Sequence, residues 1–197
     1  MALKFLRRWP WSQLPEPPDP RSFRPASILL ASEGSRIPAE AVRFAADLSR
    51  ESKAPVLVFV IARIWGSAFG LPHPSLMPTK GEWQAQRELA AEAVDELRRR
   101  GVEATGKVVS SRNAAKRIVA EAKRRGPRDA IVMAAPPPRH WMIASFFWEQ
   151  EPYRVRRLVE SPVYLVVEGQ PAALHHSASA ATDGMDGLAF ARPISEK

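Results

Sequence analysis

The chain has 197 residues, of which 45% are hydrophobic and 25% charged. These are ordinary values for one globular domain with tails, and they exclude a fibre or a wholly disordered chain. It has no cysteine, which excludes a disulfide scaffold, a thiolate metal site and a cysteine nucleophile. Lys and Arg number 29 against 21 Asp and Glu, a formal net charge of +8, which suits an anionic partner of some kind.

The first 25 residues are rich in proline (PEPPDP) and show no period of 2 or 3.6. They read as an extended arm. Its start, MALKFLRRWPW, is basic and aromatic, and Pro10 interrupts its apolar stretch. It therefore does not read as a secretion signal. The longest apolar run, Ala54 to Ala62, is far short of the roughly 18 to 20 residues that span a bilayer. The expected setting is soluble and cytoplasmic.

Ser27 to Ser32 (SILLAS) reads as a short, fully buried strand. Ser35 is placed to cap the helix that follows, with Pro38 in its first turn. That helix runs to about Lys53, with Val42, Ala45, Ala46 and Leu48 inward. Pro55 to Ala62 (PVLVFVIA) is apolar on both faces, as a central parallel strand must be. A long loop, Arg63 to Pro78, leads to Thr79-x-x-Glu82, the pattern of a capping box. The helix it opens carries Ala85, Leu89, Ala93, Val94 and Leu97 at helical spacing and stops at Gly101.

Val102 to Ser110 alternates weakly and suits a sheet edge. Asn113 caps a third helix with Ala115, Ile118, Val119 and Ala122 inward. Asp129 to Ala134 is another buried strand. After an aromatic, proline-rich loop, Pro152 opens a helix with Val155, Leu158 and Val159 inward, and Val163 to Val167 is the last strand. From Gln170 the chain is rich in Ala, Ser and Gly and reads as a disordered tail. The expected division is thus an arm (1–25), a domain (26–169) and a tail (170–197). Strict alternation of strands and helices implies an α/β fold, a parallel open sheet with helices on both faces.

Several segments resemble the universal stress protein family in its UspA-like form. They are Glu33-Gly34-Ser35 after the first strand, a Pro-Ala-Glu helix entry, RRRGVEATGKVV, DAIVMA and the closing RVRRLVESPVYLVV. The resemblance covers roughly Ser27 to Glu168. It implies a Rossmann-like sheet of five strands in the order 3-2-1-4-5, akin to the adenine nucleotide alpha hydrolases. It also implies a homodimer formed through the last strand (Val163, Tyr164, Leu165, Val166, Val167) and, in some members, ATP or AMP binding.

The nucleotide crevice of such a member would involve Ser32, Glu33, Ser35, Val60, Ala134 and Pro137. ATP-binding members carry G-x2-G-x9-G-[ST] after the fourth strand. Here Ala134 and Pro137 stand at the first two glycine positions, and neither alignment of the remainder gives Gly-Ser or Gly-Thr. Proline has no N–H for a phosphate. The expectation is a divergent member with no cofactor, ATP or AMP binding being the alternative. Glu33 is weighed as a ligand contact or a solvated turn residue, with the second favoured.

No nucleophile elbow, P-loop, carboxylate pair or metal spacing is present, so the chain is read as no enzyme. His73 and His140 lack a third ligand. The loops on either side of the crevice carry Trp65, Phe69, Trp141, Phe146, Phe147 and Trp148. These either fill the space left by a nucleotide, the favoured reading, or form an apolar patch for a lipid-like ligand, a protein partner or, together with the basic aromatic arm, an anionic membrane, as in a peripheral adaptor. Nucleic acid is disfavoured, since the basic residues look scattered over helix faces and no recognition motif accompanies them.

Overall fold

Nine elements alternate along the chain in a computed structural model that describes residues 17–64, 77–126, 129–135 and 151–167. They are β1 (Ile28–Ser32), α1 (Ala39–Ser52), β2 (Val56–Arg63), α2 (Lys80–Arg99), β3 (Ala104–Ser111), α3 (Ala114–Arg125), β4 (Ala130–Ala135), α4 (Glu151–Leu158) and β5 (Val163–Val167). All strand pairs are parallel and the sheet order is β3-β2-β1-β4-β5, as the resemblance implied.

Side chains alternate across the pleat, so each strand feeds two cores. Ile28, Leu30, Val56, Val58, Val60, Ala130, Val132, Tyr164 and Val166 pack with α1 and α2 on one face. Leu29, Ala31, Leu57, Phe59, Ile61, Ile131, Met133 and Val163 pack with α3 and α4 on the other. Burial on both faces is why β1, β2 and β4 are unbroken apolar runs. At the β3 edge only Ala104 is buried, which matches its mixed sequence.

Three sequence expectations need correction. The first concerns Ser35, which does not cap α1. The N-cap is Pro38, and no side chain caps it. The Ser32 hydroxyl, not Ser35, organises the turn: it donates to the Ser35 carbonyl and accepts from the Gly34 N–H. The helix therefore starts four residues past Ser35.

In α2 the capping box of Thr79 and Glu82 forms in both directions, at 3.2 and 2.7 Å. Yet Ala85 is exposed and Ala90 takes the buried position, because the first turns of α2 border a cleft and only the later ones cover the sheet. In α4, Val155 is buried but Leu158 is 43% exposed. The helix ends there, and the half-buried Val159 beyond it closes onto the core instead.

The end of the arm is tied down. The Tyr164 hydroxyl donates to the Pro18 carbonyl at 3.0 Å, and its ring lies between Phe23 and Phe44. Arg24 pairs with Glu51 of α1. Burial, with the Asp19 carboxylate adding to it, pushes the Tyr164 hydroxyl far above its usual range, so it stays a donor.

Candidate functional site: a cleft at the carboxyl ends of the central strands

In an open parallel sheet, ligands meet the carboxyl ends of the strands where the strand order reverses. Here that place lies around the end of β1. Ser32 closes the strand, and Gly34 turns the chain with φ +104°. Opposite, β2 ends in Arg63. Its guanidinium donates to the Glu33 carboxylate at 2.8 Å and to the Glu33 carbonyl at 2.9 Å. Both side chains are about two-thirds buried. Burial raises the Glu33 carboxyl above its ordinary value. Arg63 opposes that shift and the Glu151 carboxylate adds to it.

A cleft of about 370 Å³ opens beside this pair, lined by Glu33, Gly34, Ser35, Ala62, Arg63, Pro78, Glu82 and Gln86. Glu82 is held ionised by the Thr79 N–H and hydroxyl, which lower its pKa. Gln86 donates to the Gly34 carbonyl at 3.3 Å, while its buried Oε1 finds no partner among the described residues. The rim thus carries two carboxylates and one guanidinium, and that guanidinium is engaged by Glu33. Such a rim offers little to a polyphosphate. Among the described residues no three His, Asp or Glu side chains gather as a metal site would require.

Of the crevice residues expected from sequence, Glu33 and Ser35 line this cleft. Ser32 points inward into the turn. The Val60 side chain is fully buried in the α1/α2 core, and Ala62, one strand repeat further on, lines the cleft in its place. Ala134 is half-buried near the end of β4, in register with Val166. Pro137, the six aromatic residues of the two loops, His73 and His140 lie outside the described residues. Glu33 is more than a solvated turn residue, since it is paired and half-buried.

The sequence did not assign Arg63 or Gln86 to the crevice, and it gave Glu82 only its role in the capping box. A lone cation ending an apolar strand, and two polar residues four apart on α2, were the available signals.

The arrangement is that of a doubly wound α/β protein with a cleft at the carboxyl ends of β1 and β2, on the β2 side of β1, whose other neighbour is β4. A model of the universal stress protein family matches residues 26–166, and the chain belongs to that family. Solved structures agree on the fold. A universal stress family protein from Burkholderia pseudomallei is 20% identical with a TM-score of 0.52, covering 72% of this chain and 95% of its own. A universal stress protein from Archaeoglobus fulgidus is 19% identical with a TM-score of 0.53, covering 72% and 93%. One from Archaeoglobus fulgidus in complex with dAMP is 21% identical at a TM-score of 0.50, covering 71% and 95%. No curated protein matches the chain. No helix among the described residues is long and apolar enough to cross a membrane.

Proposed function

We propose that this chain is a cytoplasmic regulatory or interaction protein of the universal stress family. In this reading it is dimeric and non-catalytic and lacks the ATP binding of other members. The observation that carries the reading is the charge of the cleft. Glu33 and Glu82 face it, and its cation, Arg63, already holds Glu33. A triphosphate entering there meets like charge and must break a half-buried ion pair. The sequence adds Pro137 where a phosphate-binding glycine would stand.

Titration calorimetry of the full chain with ATP and with AMP tests this. No binding heat is expected at millimolar nucleotide, and micromolar affinity for either overturns the reading. A nucleotide sensor is the second reading. It is favoured by the cleft's position at the carboxyl ends of β1 and β2 and by a structural neighbour in complex with dAMP. The same titration decides between the two.

A further inference from the structure

The surplus positive charge of the domain looks spread over several helices in the sequence, but the fold sorts it. α1 and α2, which cover one face of the sheet, hold six Lys or Arg and eight Asp or Glu. α3 and α4, which cover the other, hold eight and two. One helical layer is therefore net −2 and the opposite layer net +6.

The two acids of the basic layer offset part of it, Glu121 against Lys107 and Arg124 and Glu151 against Arg154, but neither is exposed. Glu121 is buried and bonded to Lys107 and Arg124. Glu151 is half-buried, and its carboxylate accepts from the Ala115 N–H at 2.9 Å. The outward stripe of α3, with Arg112 just before it, reads Lys116, Arg117, Ala120, Lys123 and Arg124, with no exposed acid on that helix. A second observation falls on the same layer. Leu158, which follows Arg156 and Arg157 at the end of α4, is one of two large apolar side chains standing well exposed among the described residues.

We propose that the α3/α4 face docks on an anionic lipid membrane. Basic residues over an anionic leaflet gain from its surface potential, each by a factor of about five in affinity. An exposed apolar side chain on such a face is suited to the headgroup boundary, where phosphate alone would give it nothing. That is what favours lipid over nucleic acid. The arm has the same chemistry in its sequence, with Phe5, Trp9 and Trp11 among Lys4, Arg7 and Arg8. Its described end, however, is tied to Tyr164 and α1 on the other side of the sheet, so the α3/α4 face does not rely on it. The proposal does not depend on what the cleft holds, so it stands or falls apart from the ATP titration.

The test is co-sedimentation of the full chain with vesicles. One set is phosphatidylcholine with about a third phosphatidylserine, the other phosphatidylcholine alone. Binding is expected to the first only, and to weaken with salt. Lys116→Glu with Arg117→Glu should weaken it by about 25-fold or more, taking the factor of five per residue. Acidic residues suit the first turn of a helix, so this variant should fold. Lys80→Glu with Arg87→Glu makes the same change of charge on α2 and should weaken binding at least several-fold less.

Leu158→Ser should lower the binding that survives at high salt. Equal losses from the α3 and α2 variants would mean that net charge acts rather than a face, and would overturn the proposal. Absence of binding to anionic vesicles would overturn it too, as would binding to a duplex DNA or RNA fragment without binding to vesicles.

Discussion

At Gly34 the backbone turns with φ +104° and passes so close to β2 that a Cβ there would lie 2.6 Å from the Ile61 carbonyl oxygen. Left-handed backbone alone costs a non-glycine residue about 1–2 kcal/mol. The contact is with backbone, which cannot swing aside as a flexible side chain would. Gly34→Ala should therefore destabilise the domain by about 2–4 kcal/mol. It should also shift Glu33 and Ser35, which flank it at the cleft. Gly101 also has positive φ, +78°, but nothing stands within 4 Å of the place a Cβ would take. Gly101→Ala should cost only the backbone share, about 1 kcal/mol. Urea midpoints of the two variants check this, and equal losses at both sites would refute the argument from close approach. The Glu-Gly-Ser motif is thus partly architectural: its glycine lets β1 turn over β2, and the motif does not itself require a ligand.

Between elements, the contact that most needs explaining is the one that holds α3 to the edge strand β3. Glu121 is buried on α3, with Lys107 of β3 at 3.0 Å and Arg124 bonded to its other oxygen. Burial pushes its carboxyl up, but the hydrogen bonds and charges of Lys107 and Arg124 outweigh that and leave the pKa lowered. A lowered carboxylate contributes stability above its unfolded value, and the contribution is lost as pH falls through the folded value. Lys107→Ala leaves the buried carboxylate with one partner and should cost about 1–3 kcal/mol at pH 7. The gap from the parent should shrink as pH falls below the ordinary carboxylate value and on through the lowered value of folded Glu121. Chemical denaturation at pH 7 and pH 3.5 checks it, and a gap that does not change with pH would show that Lys107 acts by packing on Phe59 instead.

Glu121 and Lys107 also show what the sequence could and could not disclose. Apolar runs such as PVLVFVIA and the Thr79–Glu82 box are local signals, and strand existence, helix existence and the capping box were all legible from them. Partners 14 residues apart, such as Lys107 and Glu121, or 30 apart, such as Glu33 and Arg63, depend on which strands become neighbours. So does the charge of each helical layer, since no local pattern says that α3 and α4 share a face. Val60 was misplaced for a related reason. A one-dimensional reading locates the end of β2 only to within a residue or two, and a shift of two residues keeps the face but moves a side chain from the strand's open end into the core.

At the scale of the whole molecule the sheet has two outer strands, β3 and β5, and their edges differ. β3 carries exposed Thr105 and Gly106 and the inward-turned charge of Lys107, devices that discourage strand pairing. β5 is VYLVV, with no charge and no proline. An edge of that kind pairs readily, and Tyr164 in its middle is already held by Pro18, Phe23 and Phe44. If two copies associate, β5 is therefore the expected seam. Leu165, half-buried on the α3/α4 side, is the β5 side chain best placed to report it. Leu165→Arg puts a charge on that edge without emptying the core, and it should weaken association at least tenfold. Light scattering should give about twice the chain mass for the parent and close to a single chain for Leu165→Arg. Thr105→Arg on the β3 edge should leave the mass unchanged. A parent with the mass of one chain at high concentration would refute the β5 seam, and so would a dimer lost through Thr105→Arg but kept through Leu165→Arg.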